Sequence, residues 1–112
     1  MGTLFYGSAG FSVEIDDLLL AHLKVVIVDK LRRNESFAVN YTEGDDTGPR
    51  TLWIHATIPL RFTFSEPVAP ALSREVLNDL ARQANTTNGL SIRLQPELEA
   101  QPERQSELAV SA

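Results

Sequence analysis

The stretch Trp53-Ile54-His55-Ala56-Thr57-Ile58-Pro59-Leu60-Arg61-Phe62-Thr63-Phe64 reads WIHATIPLRFTF. It holds the chain's only tryptophan and one of its two histidines. In its second half Leu60, Phe62 and Phe64 alternate with Arg61 and Thr63. At its start, with Leu52 just before it, Leu52 and Ile54 alternate with Trp53 and His55. A period of two is that of a strand with one face in a core and one in water. The stretch therefore predicts two strands, Thr51–His55 and Leu60–Phe64, joined at the Ala56-Thr57-Ile58-Pro59 turn.

The same period recurs on both sides. Thr3–Tyr6 and Phe11–Ile15 read as strands joined by Gly7-Ser8-Ala9-Gly10, a hairpin by its turn chemistry. Ser36–Tyr41 and Leu90–Leu94 complete the set of strands. Asp16 to Arg33 reads as a helix, capped by Asp16 or Asp17 and carrying Lys30, Arg32 and Arg33 at its negative end. Ser73 caps a second helix to about Ala84, with Val76, Leu77, Leu80, Ala81 and Ala84 on one stripe. Between strand and helix, Ser65–Leu72 contains Pro67 and Pro70 and is expected to be an irregular connection.

The order β-β-α-β-β-β-α-β, with alternating strands throughout, predicts an α+β two-layer sandwich. Two helices would cover one face of a mainly antiparallel sheet, leaving the other face in water. One feature departs from an ordinary amphipathic helix. Leu19, Leu20, Leu23, Val26, Ile27 and Leu31 form a wide face, but Leu18, Ala21, Val25 and Val28 form a second stripe almost opposite. That second stripe predicts either a helix covered on both sides or a self-association contact.

Length and composition bound the function. The 112 residues, 43% apolar, suit one domain, expected at 1–95. A Pro-, Glu- and Gln-rich tail at 96–112 has four glutamates against one arginine and is expected to be disordered. With no cysteine, disulfides, thiolate catalysis and thiolate metal sites are excluded. No signal peptide or membrane-spanning run is read at the N-terminus or elsewhere, so a cytoplasmic location and no membrane partner are expected. A net charge of −5 argues against bulk electrostatic binding of nucleic acid.

No catalytic or metal constellation emerges. His55 has no nucleophile or carboxylate at a telling spacing, and His22 with His55 fits no metal-ligand spacing. Glu43, Asp45 and Asp46 form an acidic loop without calcium-loop spacing. The glycines form no phosphate-binding motif, and no cofactor is called for. Three candidate surfaces remain. An open sheet face with Trp53, His55, Arg61 and Arg93 has the residue types that stack bases and contact phosphates. Lys30, Arg32 and Arg33 form a basic cluster, for which dipole complementation is a sufficient explanation. Leu18, Ala21, Val25 and Val28 form the self-association stripe.

The blocks MGTLFYGS, LAHLKVVIVDKLRRNESFAVNY and TLWIHATIPLRFTF resemble a family of small actinobacterial proteins of about a hundred residues, a domain-of-unknown-function family. The resemblance spans about Met1 to Pro96, with ANTTNGLSIRL resembling the closing part. Members usually read His-Pro-Ser-Ile-Pro-Leu where this chain has His55-Ala56-Thr57-Ile58-Pro59-Leu60. They often carry the label ATP-dependent DNA ligase. Such ligases attach AMP to the lysine of Lys-x-Asp-Gly. The two lysines here, Lys24 and Lys30, begin Lys-Val-Val-Ile and Lys-Leu-Arg-Arg, so ligase activity is not expected. The expected function is an interaction module without catalysis of its own, binding a protein partner or forming a homodimer. The alternative is weak nucleic-acid binding or an accessory role beside a ligase.

Overall fold

The computed structural model describes residues 1–43 and 48–94. The tail at 96–112, with Asp45 and Asp46 of the acidic loop, lies outside the described residues. The elements are β1 (Gly2–Tyr6), β2 (Phe11–Ile15), α1 (Asp17–Arg32), β3 (Phe37–Thr42), β4 (Arg50–Ile54), β5 (Leu60–Thr63), α2 (Arg74–Ala84) and β6 (Leu90–Arg93). The fold is α+β, in the order the alternation predicts.

One expectation needs correction. The strands form two three-stranded sheets, β2-β1-β5 and β4-β3-β6, rather than a single sheet. Three of the four pairings are antiparallel; β3 and β6 run parallel, with Val39 beside Leu90 and Tyr41 beside Ile92. The division falls inside the opening stretch. β4 pairs with β3 and β5 with β1, so the two strands of WIHATIPLRFTF belong to different sheets. The turn between them is closed from within: Ile58 N–H donates to His55 O, and Thr57 N–H donates to His55 Nδ1. One side-chain bond then ties the sheets together: Tyr6 Oη donates to Trp53 O at 2.7 Å. Gly7 N–H donates to Pro59 O at 2.9 Å, one step beyond the Tyr6–Leu60 pair, and so extends the β1–β5 ladder within the first sheet.

A single apolar cluster lies between the layers. It takes Leu4, Val13 and Ile15 from the first sheet and Phe37, Val39, Tyr41, Leu52, Ile54, Leu90 and Ile92 from the second. The helices add Leu19, Leu20, Leu23, Val26 and Ile27 from α1, and Leu80 and Ala84 from α2. These are the alternate strand positions and the helical stripe that face inward by period two and period 3.6. Asp16 caps α1 by accepting from the N–H groups of Leu18 and Leu19. Asn34, at φ 61°, follows the end of that helix in the left-handed region. Ser73 caps α2 by accepting from Val76 N–H. Gly89 opens β6 at φ 83°, where a Cβ would lie 2.5 Å from Ala38 O, so only glycine fits that approach.

Among the described residues, no helix is long and apolar enough to cross a membrane.

Candidate functional site

The second stripe of α1 has a physical explanation in the chain itself. After β5 the segment Ser65–Ser73 crosses the outer side of α1 and is fastened at both ends. At its start, Asp17 accepts from Ser65 Oγ (2.9 Å), Ser65 N–H (3.3 Å) and Glu66 N–H (3.1 Å). At its end, Ser73 N–H donates to His22 Nε2 at 2.8 Å. The strap explains why Ala21, on the stripe opposite the core face, is buried. It does not reach the next turn: Val25 and Val28 are 39% and 42% exposed. Leu18 is half-buried. Beside the strap lies a groove of about 270 Å³ lined by Ala21, Val25, Phe64, Pro67, Pro70 and Leu72, with Lys24 at its rim. Lys24 Nζ sits 5.8 Å from the Phe64 ring centroid. Leu72 and Val68 of the strap are themselves exposed.

The clamp residues are specific in their chemistry. Burial raises the pKa of Asp17, but the three hydrogen bonds from Ser65 and Glu66, with the nearby Met1 ammonium, outweigh it and hold the carboxyl below its ordinary value. His22 is 2% exposed and uses both ring nitrogens. A carbonyl can only accept, so Nδ1 carries the proton donated to Leu18 O at 2.7 Å, and Nε2 accepts from Ser73. This histidine is a structural rivet with no nitrogen left for a metal. Among the described residues no group of three or more His, Asp or Glu is placed to hold a metal ion.

The four candidate residues of the open sheet face are not brought together. Arg61 belongs to the first sheet, where its guanidinium stacks on cross-strand Phe5 at 4.1 Å. Trp53 and Arg93 share the outer face of the second sheet. Trp53 stands opposite Ala38 and Arg93 beside Thr42, so about 13 Å of β3 separates them at ~3.3 Å per residue. Asn40 fills the space between, accepting from Thr51 Oγ1 and donating to Asn88 O. His55 lies beyond the end of β4 and closes its own turn: Nδ1 accepts from both Thr57 N–H and Thr57 Oγ1.

The basic cluster is largely neutralised. Lys30 is 5% exposed, with Nζ 3.1 Å from Glu35 Oε1 and 2.7 Å from Asn85 Oδ1. Arg33 pairs with Asp29 at 2.7 Å and with Glu35 at 3.3 Å. The hydrogen bond donated to Asp29, then the charges of Asp29 and Glu35, hold the Arg33 guanidinium above its ordinary pKa. Arg32 is exposed.

A second depression, of about 480 Å³, opens beside Trp53. Its lining includes Lys30, Ser36, Ala38, Trp53, Asn85 and Thr87. Sequence reasoning singled out Trp53 and Lys30 separately and had no reason to join them. It marked Asp17 only as a possible helix cap and did not mark Leu72 or Val68 as surface residues. The available signal for the last two was two aliphatic residues in a proline- and alanine-bearing connection with no periodic partner.

Against known proteins, a family model described as "Domain of unknown function (DUF7882)" matches residues 1–95. No curated protein and no solved structure matches the chain.

Proposed function

We propose, for a chain that belongs to the DUF7882 family of unknown function, that it is a small interaction module that pairs with a second copy of itself through the outer face of α1. The observation that carries this reading is the uncovered end of the α1 outer stripe. Val25 and Val28 stand exposed one helical turn beyond the strap, and exposed Leu72 shares the groove with Val25. Aliphatic side chains gathered on one helix face are the kind of surface that association buries. A patch on a single face is self-complementary across a two-fold axis, the commonest symmetry of soluble oligomers. The patch is small. Each side chain has roughly half its surface left to bury, about 1 kcal/mol apiece, so the dimer is expected at about micromolar affinity or weaker once association costs are subtracted.

Sedimentation equilibrium from micromolar to millimolar concentration tests this. The wild type should shift from monomer to dimer, and Val25→Glu should remain a folded monomer by circular dichroism. A wild type that stays monomeric throughout, or a Val25→Glu dimer of unchanged strength, overturns the reading.

The nucleic-acid alternative rests on one observation, the 53% exposure of Trp53. Of the cations that would accompany it, Arg61 lies on Phe5 and Lys30 and Arg33 on carboxylates, leaving exposed Arg93 about 13 Å away on the same sheet face. That alternative does not extend to a broad electrostatic surface.

A further inference from the structure

We infer that the depression beside Trp53 is a binding slot for a single unpaired nucleobase with a keto edge, that of guanine, thymine or uracil. The inference is independent of self-association, which uses the outer face of α1. It rests on three features that meet in one cavity of about 480 Å³.

The first is a platform. Trp53 is half-exposed on β4, and its cross-strand neighbour on β3 is Ala38, the smallest side chain that could stand there with a Cβ. The small residue leaves the floor beside the indole open. The far side is set by the turn after α2, because Gly89 brings that turn down onto the Ala38 carbonyl. A flat ring can lie against the indole in such a space, and base–aromatic stacking contributes about 1–3 kcal/mol per base.

The second is a buried donor with capacity to spare. Lys30 is 95% buried, and an ammonium has three N–H bonds. Asn85 Oδ1 takes one and Glu35 Oε1 another. The Phe37 ring, 5.7 Å from Nζ, makes a cation–π contact but is too distant to accept a hydrogen bond. Among the described residues, one N–H is left without an oxygen in a residue that lines the slot. Asn85 is oriented by the same contact: with Oδ1 facing Lys30, its amide N–H₂ is left as a second donor. Donors without matching acceptors favour a ligand edge made of acceptors. A keto base offers such an edge, guanine through O6 and N7, thymine and uracil through O4 or O2.

The third is charge. The Lys30 ammonium is already matched by Glu35, so the slot suits a neutral ring rather than a phosphate. This also removes the objection from the chain's net charge of −5. The base can come from a free nucleoside or from a single strand. A strand passing along the outer face of β3 would meet Arg93 about 13 Å on, roughly two nucleotides away.

The test is quenching of Trp53, the sole tryptophan, by thymidine, guanosine and adenosine, and by the oligonucleotides dT10 and dA10. Saturable quenching is expected, about tenfold tighter for thymidine and guanosine than for adenosine, and lost in Ala38→Leu, which fills the floor. Lys30→Met should abolish the preference for keto bases. Ala38→Leu keeps the test decisive if burying a methionine at position 30 unfolds the chain. If dT10 binds much more tightly than thymidine, and Arg93→Ala removes that gain alone, the ligand is a strand; equal affinities identify a free nucleoside. Either supports the slot. No saturable quenching by any of the five probes overturns it, as does quenching that ignores base identity or survives Ala38→Leu.

Discussion

Ser73 donates its backbone N–H to Nε2 of His22 at 2.8 Å, joining two residues 51 positions apart. The bond sets where α2 begins, because Ser73 is also the residue whose hydroxyl caps that helix. It also ends the strap that covers Ala21. A buried backbone N–H that loses its acceptor costs about 1–3 kcal/mol. His22→Phe keeps the volume but not the acceptor, so it should lower unfolding free energy by about 2 kcal/mol in urea titrations. His22→Gln, which restores an acceptor, should recover part of the loss. His55→Ala should cost about 0.5 kcal/mol, since its partner Thr57 is exposed to water.

The other end of the strap predicts acid sensitivity. Asp17 is held below the ordinary aspartate value of about 3.9. A carboxyl depressed on folding contributes stability that is fully present above its unfolded value. That contribution is lost as pH falls through the lower, folded value. In the wild type stability should therefore be level for this group from neutrality to about pH 4 and decline below it. Asp17→Asn should be less stable at neutral pH and show a shallower decline in the acid range. Urea unfolding measured from pH 7 down to pH 2 reads both effects.

The strap also marks where the sequence stops being legible. The spacing of Leu18, Ala21, Val25 and Val28 reveals an apolar stripe opposite the core, and two coverings satisfy it equally. Choosing between them requires knowing that Ser65 meets Asp17 and Ser73 meets His22, contacts 48 and 51 residues apart that no local pattern encodes. The strands show the same limit. Period two tells which face Leu52 and Phe62 occupy but not which strand lies alongside, so the alternation leaves the strand order open, and β4 and β5, consecutive in sequence, belong to different sheets. The slot beside Trp53 is illegible for a similar reason. Lys30 comes from α1, Trp53 from β4 and Asn85 from the end of α2, and only the packed structure brings them to one cavity.

Two glycines with nearly equal backbone angles separate strain from crowding. Gly10 has φ 87° and nothing near its missing Cβ, while Gly89 has φ 83° and the Ala38 carbonyl at 2.5 Å. Alanine at position 10 meets only the conformational penalty, about 1 kcal/mol. Alanine at position 89 meets that penalty and a backbone clash that would force β6 away from β3, for about 2–4 kcal/mol. Thermal melts of the two variants should differ accordingly. A Gly89→Ala protein as stable as Gly10→Ala would mean that the β3–β6 approach is looser than the register states.

Tyr6→Phe probes the joint between the sheets. Tyr6 Oη donates to the carbonyl of Trp53 at 2.7 Å, a bond from β1 of the first sheet to β4 of the second. The ring remains packed on the core in the phenylalanine variant, so only the hydrogen bond is removed. Because Trp53 is half-exposed, water can replace the lost donor, and the cost should be about 0.5–1.5 kcal/mol rather than the full penalty of a buried orphan. The more telling readout is local. With β4 released from β1, amide hydrogen exchange should accelerate for Thr57 and Ile58, whose N–H groups close the turn between the two sheets on His55, while Val39 and Leu52 in the interior of the second sheet should keep their protection. Uniform acceleration across both sheets would instead mean that the joint is part of the global folding unit and that the two sheets do not open separately.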